Sequence, residues 1–217
     1  MEYKKYKRIC VLDLETTGVY WNSDAPIQIA AIVCDGQGRT IDEFNEKIKT
    51  THAINPEASE VHGIYAKDLV NCRSEKDVLR AFVSWMIGND VDCLLTYNGK
   101  AFDVPMLNCR CEKLGLHQIQ EFNKDSDQAL PHIDGWHDCV YPAKQANLFD
   151  LKTKLGRRWK LTMVADVLGI DSEGAHDAYV DVTMLKNIFF KLDPLIHPND
   201  WADNNAAKTV VLTNPLF

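Results

Sequence analysis

Two acidic side chains, Asp13 and Glu15, lie at the end of the apolar segment Ile9–Leu12. In a β-strand, residues two positions apart point to the same face, so both carboxylates should lie on one side of the predicted strand. Their mutual repulsion favours the protonated form unless a cation lies between them. Oxygen-rich clusters of this kind suit Mg²⁺ or Mn²⁺. A strand that runs out into solvent, with both carboxylates hydrated, would explain the pair equally well.

Two later segments contribute further candidate catalytic groups. Asp103 follows the apolar segment Val91–Tyr97, and ligand sites of α/β sheets gather at such strand ends. A first-turn acid that opposes a helix dipole is the alternative for Asp103. His176 and Asp181 are too far apart to share one helix face, so His176 is predicted on the loop before the helix. A histidine beside a fixed carboxylate can act as a general base, although His176 and Asp177 could instead cap the helix.

In combination, these segments resemble the DEDD superfamily of 3′→5′ exonucleases, in the family's order, over roughly residues 8–192. The motif residues that carry the resemblance are Asp13, Glu15, Asn98, Phe102, Asp103, His176 and Asp181. Histidine five positions before the last aspartate is typical of the His branch (DEDDh). The Tyr branch carries tyrosine four positions before that aspartate, where this chain has Asp177. The chain therefore resembles the His branch.

The resemblance implies both a fold and a mechanism. The fold would be α/β and RNase H-like, with a five-stranded mixed sheet flanked by helices. Asp13, Glu15, Asp103 and Asp181 would hold two divalent metal ions, Mg²⁺ or Mn²⁺, with Asp13 bridging them. His176 would take a proton from the attacking water in a two-metal hydrolysis of the terminal phosphodiester. The product would be a nucleoside 5′-monophosphate.

The resemblance also implies a pocket for the last nucleotide of a strand with a free 3′ end. The backbone amides of Thr16 and Thr17 would bind the 3′-hydroxyl group. Phe102 and His62 would line the sugar and base, and Asn98 would orient the strand end or a phosphate. For Phe102 a purely structural role in the core stays open, and for His62 helix capping stays open.

The motifs leave the substrate and the partners open. Single-stranded DNA is favoured, because the first and third motifs resemble those of proofreading and repair members. Trimming of RNA is the alternative, since discrimination depends on 2′-hydroxyl contacts. A non-catalytic nucleic-acid-binding module on the same fold would lack at least one carboxylate. The motifs also leave open a polymerase or sliding-clamp partner. The ending Leu216-Phe217 resembles that of clamp-docking peptides, and an ordinary tail strand is the alternative.

The elements that must position these groups follow from the apolar periodicity. The predicted strands are 8–14, 26–35, 40–49 and 91–97, and the predicted helices are 74–87, 101–114, 148–155, 161–168 and 177–192. Residues 117–147 are predicted to be irregular, with a short strand near 133–140. Three meander strands followed by helix–strand alternation predict one α/β domain with a mixed sheet. We place this domain at residues 1–196 and a C-terminal tail at 197–217.

Composition excludes several classes of protein. A net charge of −7 argues against a protein that coats nucleic acid, although an enzyme that grips a few nucleotides is compatible with it. The seven cysteines lack Cys-x-x-Cys spacing and are predicted to be reduced thiols. No apolar segment is long enough for a bilayer and no signal-peptide pattern is present, so a cytoplasmic location is expected.

The basic run 152–160 contains Trp159 and could carry the substrate backbone or form a solvated helix face.

Overall fold

The structure is a computed structural model that describes residues 1–119 and 129–202. Within that part of the chain, the strands are β1 (Glu2–Tyr3), β2 (Ile9–Thr16), β3 (Pro26–Cys34), β4 (Thr40–Lys49), β5 (Arg73–Ser74), β6 (Cys93–Thr96), β7 (His132–Asp134) and β8 (Trp201–Ala202). The α-helices are α1 (Pro56–His62), α2 (Glu75–Gly88), α3 (Asp103–Lys113), α4 (Tyr141–Gln145), α5 (Leu151–Leu155), α6 (Leu161–Leu168) and α7 (Ala178–Ile196). Shorter helical turns lie at Ala66–Leu69, Gly135–Val140, Leu148–Asp150 and Pro198–Asp200.

The main sheet has the strand order β5-β4-β3-β2-β6-β7. Strand β3 pairs antiparallel with both β2 and β4, whereas β6 runs parallel to β2 and to β7. The predicted α/β architecture with a mixed sheet is therefore confirmed. The predicted count of five strands is wrong by one, because the two-residue strand Arg73–Ser74 adds to the end of β4.

The short strand predicted near 133–140 is confirmed only in its first residues. The chain leaves the sheet after Asp134, whose carboxylate accepts hydrogen bonds from the backbone N–H groups of Trp136 and His137. These bonds cap the π-helical turn Gly135–Val140. Asp138 consequently lies in this turn rather than in a strand.

Strand β2 separates the two layers of the core. Ile9 and Val11 pack with α7 and its neighbours on one face, whereas Cys10, Leu12 and Leu14 pack with α2 and α3 on the other. Because side chains alternate along a strand, Asp13 and Glu15 continue the face of Ile9 and Val11. The sequence pattern thus directs both carboxylates toward the start of α7.

Most of the predicted helices are present, with small shifts of their ends. Helix α1 was not predicted, although Asn55 caps its first turn, Pro56 begins it and Gly63 ends it with φ of 71°. All three are common helix-boundary signals. All seven cysteines are free. None of the helices in the described ranges has the length and apolar character required to cross a membrane.

The first residues of the predicted tail pack on the domain. Strand β8 pairs with β1, and the buried Trp201 donates a hydrogen bond from Nε1 to Asp193 on α7. Its ring contacts those of Tyr3 and Phe189. The boundary predicted at residue 196 therefore falls before an element that completes this side of the core. The rest of the predicted tail, including Leu216 and Phe217, lies outside the described residues.

Candidate active site

A cavity of about 380 Å³ opens where β2 and β6 end and where α3 and α7 begin. It collects six of the ten predicted site residues, namely Asp13, Asn98, Phe102, Asp103, His176 and Asp181. The remaining wall is formed by Leu14, Tyr97, Trp159, Lys160, Leu161 and Thr162. Residues from four separate segments of the sequence therefore meet in one pocket of a size suited to a small ligand.

Three carboxylates converge beside this cavity. One oxygen each from Asp13, Glu15 and Asp181 lies within 4.8 Å of the other two. Asp13 and Glu15 reach the site from one face of β2, and Asp181 comes from the first turn of α7. Asp103 lines the same cavity but does not belong to this closest set of three oxygens.

The electrostatics of the cluster favour protonation while no cation is bound. Burial, followed by repulsion from Asp103, Asp181 and Glu15, raises the pKa of Asp13 well above its ordinary value. Burial, followed by repulsion from Asp181 and Asp177, raises the pKa of Glu15 to about 8. Burial also raises the pKa of Asp181, against the opposing effect of the His176 backbone N–H.

Asp103 is held by the backbone of the neighbouring strand. It is 7% exposed, and burial raises its pKa to about 7 although its own N–H and that of Leu14 stabilise the carboxylate. The ladder between β2 and β6 ends at Val11, so the β2 edge next to Leu14 has no β6 partner. The carboxylate of Asp103 fills this gap and fixes the start of α3 against the end of β2 that carries Asp13 and Glu15.

The residues of the cluster fit a divalent cation. Across residues 1–119 and 129–202, none of the four carboxylates forms an ion pair with lysine or arginine. Four acidic groups in and beside one cavity are costly to ionise when, within the described ranges, no lysine or arginine is paired with them. Carboxylate oxygens are the donors that hard divalent cations prefer. A bound divalent ion would therefore offset the repulsion that, together with burial, raises these pKa values.

Without a bound cation, the free energy of unfolding is expected to fall as the pH rises from about 4 to about 8. Unfolded carboxyl groups ionise near pH 4, whereas the pKa of Glu15 is raised to about 8 and that of Asp103 to about 7. The folded protein therefore binds more protons than the unfolded chain across this window. This contribution to stability is complete below the unfolded pKa and is lost as the pH rises through the folded pKa.

Thermal unfolding in EDTA between about pH 5 and pH 8 measures this loss. Addition of a divalent salt should raise the melting temperature more at the alkaline end of the range, where the carboxylates are free to bind it. The variant Glu15→Gln provides the control, because it removes one of the shifted groups and should flatten the pH dependence. If the melting temperature of Glu15→Gln depends on pH as steeply as that of the wild-type protein, the raised pKa of Glu15 is contradicted.

The structure assigns helix capping to Asp177 rather than to His176. The Asp177 side chain accepts a hydrogen bond from the backbone N–H of Tyr179 at 2.9 Å. His176 lies on the preceding loop in a left-handed conformation, with φ of 71°, and the residue is part of the cavity lining. Its backbone N–H donates to Asp181 Oδ1 at 3.3 Å, which ties the loop to the acidic cluster.

Gln28 is a positioning residue that sequence reasoning missed. It is opposite Glu15 in the β2–β3 register and is 1% exposed. Its Nε2 donates to Asp177 Oδ2 at 3.3 Å and to Asn45 Oδ1 at 3.0 Å. Gln28 thereby joins the sheet to the residue that caps α7. The detectable signal was an amide side chain within an otherwise apolar strand.

The structure does not support the proposed role for the Thr17 amide. This N–H already donates to the carbonyl of Ala25 at 2.9 Å, so it is engaged within the fold. The Thr17 hydroxyl donates to Asp24 Oδ1, and the Thr16 hydroxyl donates to the carbonyl of Gly18. Both side chains thus stabilise the turn after β2. Contact of the Thr16 amide with a 3′-hydroxyl group stays a prediction.

His62 lies outside the cavity lining. Its Nδ1 accepts a hydrogen bond from the backbone N–H of Ile64 at 3.0 Å, which agrees with the structural alternative. Its Nε2 is buried and has no hydrogen-bond partner among the described residues. Burial lowers the pKa of His62, and the backbone of Thr16 opposes this shift. A substrate contact of His62 stays a prediction.

The turn that carries Asn98 requires glycine at position 99. A Cβ atom on Gly99 would lie 2.8 Å from Asp103 Oδ2 and closer still to the Thr96 hydroxyl. We therefore expect Gly99→Ala to lower stability by about 1–3 kcal/mol through overpacking and to reduce activity by displacing Asp103. Chemical denaturation and single-turnover assays measure the two effects.

Gly88→Ala is the matched control, because a Cβ atom there meets nothing within 4 Å. Gly88 ends α2, where alanine should be tolerated or favoured by up to about 1 kcal/mol. Equal effects of the two substitutions would refute the steric argument for Gly99.

The fold occurs in solved structures of exonuclease I from E. coli. The zinc-bound complex of that enzyme with single-stranded DNA aligns with a TM-score of 0.75 and 20% sequence identity, covering 89% of this chain and 42% of that one. At this level of identity the likeness establishes the fold alone. The predicted RNase H-like fold is confirmed.

The chain belongs to the exonuclease family of the RNase T type, whose sequence profile matches residues 10–189. This range contains all ten predicted site residues. The predicted relationship to the DEDD type of 3′→5′ exonuclease is confirmed. Membership of the His branch stays a prediction.

Related bacterial proteins differ greatly from this chain in length. DNA polymerase III subunit epsilon of Pasteurella multocida is 26% identical over 192 residues, which cover 85% of this chain and 68% of that protein. DNA polymerase III PolC-type of Thermotoga maritima is 29% identical over 182 residues, which cover 83% of this chain and 11% of that protein. The chain thus spans about a tenth of the PolC-type protein.

Proposed function

We propose that this protein is a metal-dependent 3′→5′ exonuclease that hydrolyses terminal phosphodiesters and releases nucleoside 5′-monophosphates. The observation that carries the proposal is the convergence of Asp13, Glu15 and Asp181 beside a cavity that also contains Asp103 and His176. Membership of the exonuclease family supports the reaction type. The four acidic residues would hold two divalent ions, Mg²⁺ or Mn²⁺.

Each residue has a distinct task in the proposed reaction. Bound divalent ions would lower the pKa of the attacking water and offset the charge that develops on the phosphodiester. His176, on its loop at the cavity, would accept the proton of this water as a general base. Asp181 fixes that loop through the His176 backbone N–H. Asp177 and Gln28 hold the start of α7, so that Asp181 and His176 keep their relative positions.

The terminal nucleotide would occupy the same cavity. Phe102 would pack against its sugar or base, and Asn98 would contact a phosphate or the strand end, because both residues belong to the lining. Asn98 has φ of 61°, and its backbone N–H donates to the buried Asp134. The turn is therefore fixed before substrate binds, which lowers the entropic cost of positioning a strand end.

Single-stranded DNA is the substrate that we favour. The E. coli exonuclease I structure is a complex with single-stranded DNA, and one related protein is a DNA polymerase III subunit. RNA is the alternative, because hydrolysis at the phosphate does not itself distinguish the two sugars. A polymerase or sliding-clamp partner and a cytoplasmic location remain part of the proposal.

Matched 5′-labelled DNA and RNA oligonucleotides, with Mg²⁺, with Mn²⁺ and with EDTA, test the proposal. We expect a metal-dependent ladder that shortens from the 3′ end, and the faster substrate identifies the preferred nucleic acid. Covalently closed circular single-stranded DNA should resist digestion, because it has no end. If folded protein that binds metal digests neither linear strand, the exonuclease proposal fails and the binding-module alternative gains support.

A further inference from the structure

An exposed aromatic side chain lies at the cavity and has no role in the proposed chemistry. Trp159 lies in the segment between α5 and α6, and its side chain remains 51% exposed although it lines the cavity. Lys160, Leu161 and Thr162 continue the lining after it. A large indole left in contact with solvent beside a substrate cavity is a feature of binding surfaces rather than of a core.

The backbone beneath this indole is fixed by two hydrogen bonds. The phenolic hydroxyl group of Tyr97 donates to the carbonyl of Trp159. Lys144 Nζ donates to the carbonyl of Arg158 at 3.4 Å and lies 5.5 Å from the centroid of the Trp136 ring. The rings of Trp136 and Trp159 are 6.3 Å apart. The backbone that carries the indole is therefore positioned before any ligand arrives, which reduces the entropy lost on binding.

The surface around Trp159 is positively charged in a chain whose net charge is −7. Arg157, Arg158 and Lys160 are all exposed. The Arg158 guanidinium group donates to the carbonyls of Lys154 and Leu155, so it serves mainly to end α5. Arg157 and Lys160 lie close to Trp159 in sequence and are exposed, so both cations are open to a phosphate.

We propose that Trp159, with Arg157 and Lys160, forms a binding subsite for the unpaired part of a single-stranded nucleic acid. This inference rests on the proposed exonuclease function and extends it to the strand behind the terminal nucleotide. One base upstream of the terminal base stacks on the Trp159 indole, and the adjoining phosphates contact the two cations. Base–aromatic stacking with backbone cations is sequence-tolerant and needs bases that are not paired. The subsite therefore selects a single strand over a duplex end.

Steady-state kinetics on a single-stranded DNA decamer test the subsite. We expect Trp159→Ala to raise KM about tenfold and Trp159→Phe to restore most of the loss, because phenylalanine keeps an aromatic face. The inhibition constant of the product thymidine 5′-monophosphate should stay within about twofold, because a mononucleotide lacks the upstream base. Phe149→Ala is the control, since Phe149 is 44% exposed but lies outside the cavity lining.

Single abasic nucleotides locate the stacked base. In the wild-type protein, an abasic site at one upstream position should raise KM as much as Trp159→Ala does. The same abasic site should have no further effect in Trp159→Ala. Three results would each overturn the proposal. The first is unchanged kinetics in Trp159→Ala, and the second is an abasic effect that adds to that of Trp159→Ala at every position. The third is a loss of thymidine 5′-monophosphate binding in Trp159→Ala as large as the rise in KM.

Binding without turnover separates this inference from the proposed function. Fluorescence anisotropy with a labelled oligothymidine in EDTA reports the subsite even if no strand is digested. If the wild-type protein digests no strand but Trp159→Ala still binds the oligothymidine more weakly than wild type, the subsite stands and the proposed reaction is rejected. If the wild-type protein is active but binds the oligothymidine no more tightly than Trp159→Ala does, the proposed reaction stands and the subsite is rejected.

Discussion

Asp13→Asn is expected to lower kcat by about 1000-fold or more while the fold is retained. Asp13 is central to the acidic cluster, because Asp103, Asp181 and Glu15 all raise its pKa. Asparagine keeps the size of the side chain but removes one of the charges that would hold a divalent ion. A thousandfold loss corresponds to about 4 kcal/mol of transition-state stabilisation, which is within the contribution of a catalytic metal site.

Although Asp13→Asn should lower activity, it should raise thermal stability when no metal is present. Since repulsion and burial disfavour the Asp13 carboxylate, a neutral amide at this position should raise the melting temperature in EDTA, most clearly near pH 8. Divalent salt should then stabilise the wild-type protein much more than the variant.

Glu112→Gln is the matched control for Asp13→Asn, because it makes the same change in net charge at an exposed position. We expect this control to retain both activity and the stabilisation by divalent salt. Wild-type activity in Asp13→Asn would exclude the proposed metal site. A large loss of thermal stability in Asp13→Asn in EDTA would instead indicate a structural role for the Asp13 carboxylate.

The groups that carry the proposed chemistry could be predicted because they depend on local patterns. The alternation of a strand is enough to place Asp13 and Glu15 on one face, and the face turned out to be the one covered by α7. A helix start explains Asp181, and a strand end explains Asp103. To predict these four positions, it is enough to know the type of each secondary-structure element and its approximate boundary.

The contacts that fix these groups relative to one another could not be predicted, because they join distant segments. Gln28 and Asp177 are 149 positions apart, yet their hydrogen bond attaches α7 to the sheet. The Leu14 backbone N–H stabilises the Asp103 carboxylate only because β6 diverges from β2 after Val11. The only local signature of these contacts is Gln28, a polar residue in an otherwise apolar strand. The sixth strand and the packing of Trp201 were missed for the same reason.

His176→Ala is expected to lower kcat by about 100- to 10,000-fold, the usual contribution of a general base, with little change in KM. His176 lines the cavity, and its backbone N–H binds Asp181 at 3.3 Å. Alanine retains that backbone bond, so the loop and the acidic cluster should keep their arrangement. Stabilisation by divalent salt should therefore survive the substitution, in contrast to Asp13→Asn. This difference separates proton transfer from metal binding.

Added imidazole distinguishes a missing base from a disturbed site. If His176 accepts the proton of the attacking water, imidazole that diffuses into the cavity should restore part of the rate in His176→Ala but none in Asp13→Asn. His137→Ala is the control, because His137 is exposed and absent from the cavity lining, and it should keep full activity. An unchanged kcat in His176→Ala would remove the histidine from the mechanism. The carboxylate cluster would then have to act with a different proton acceptor.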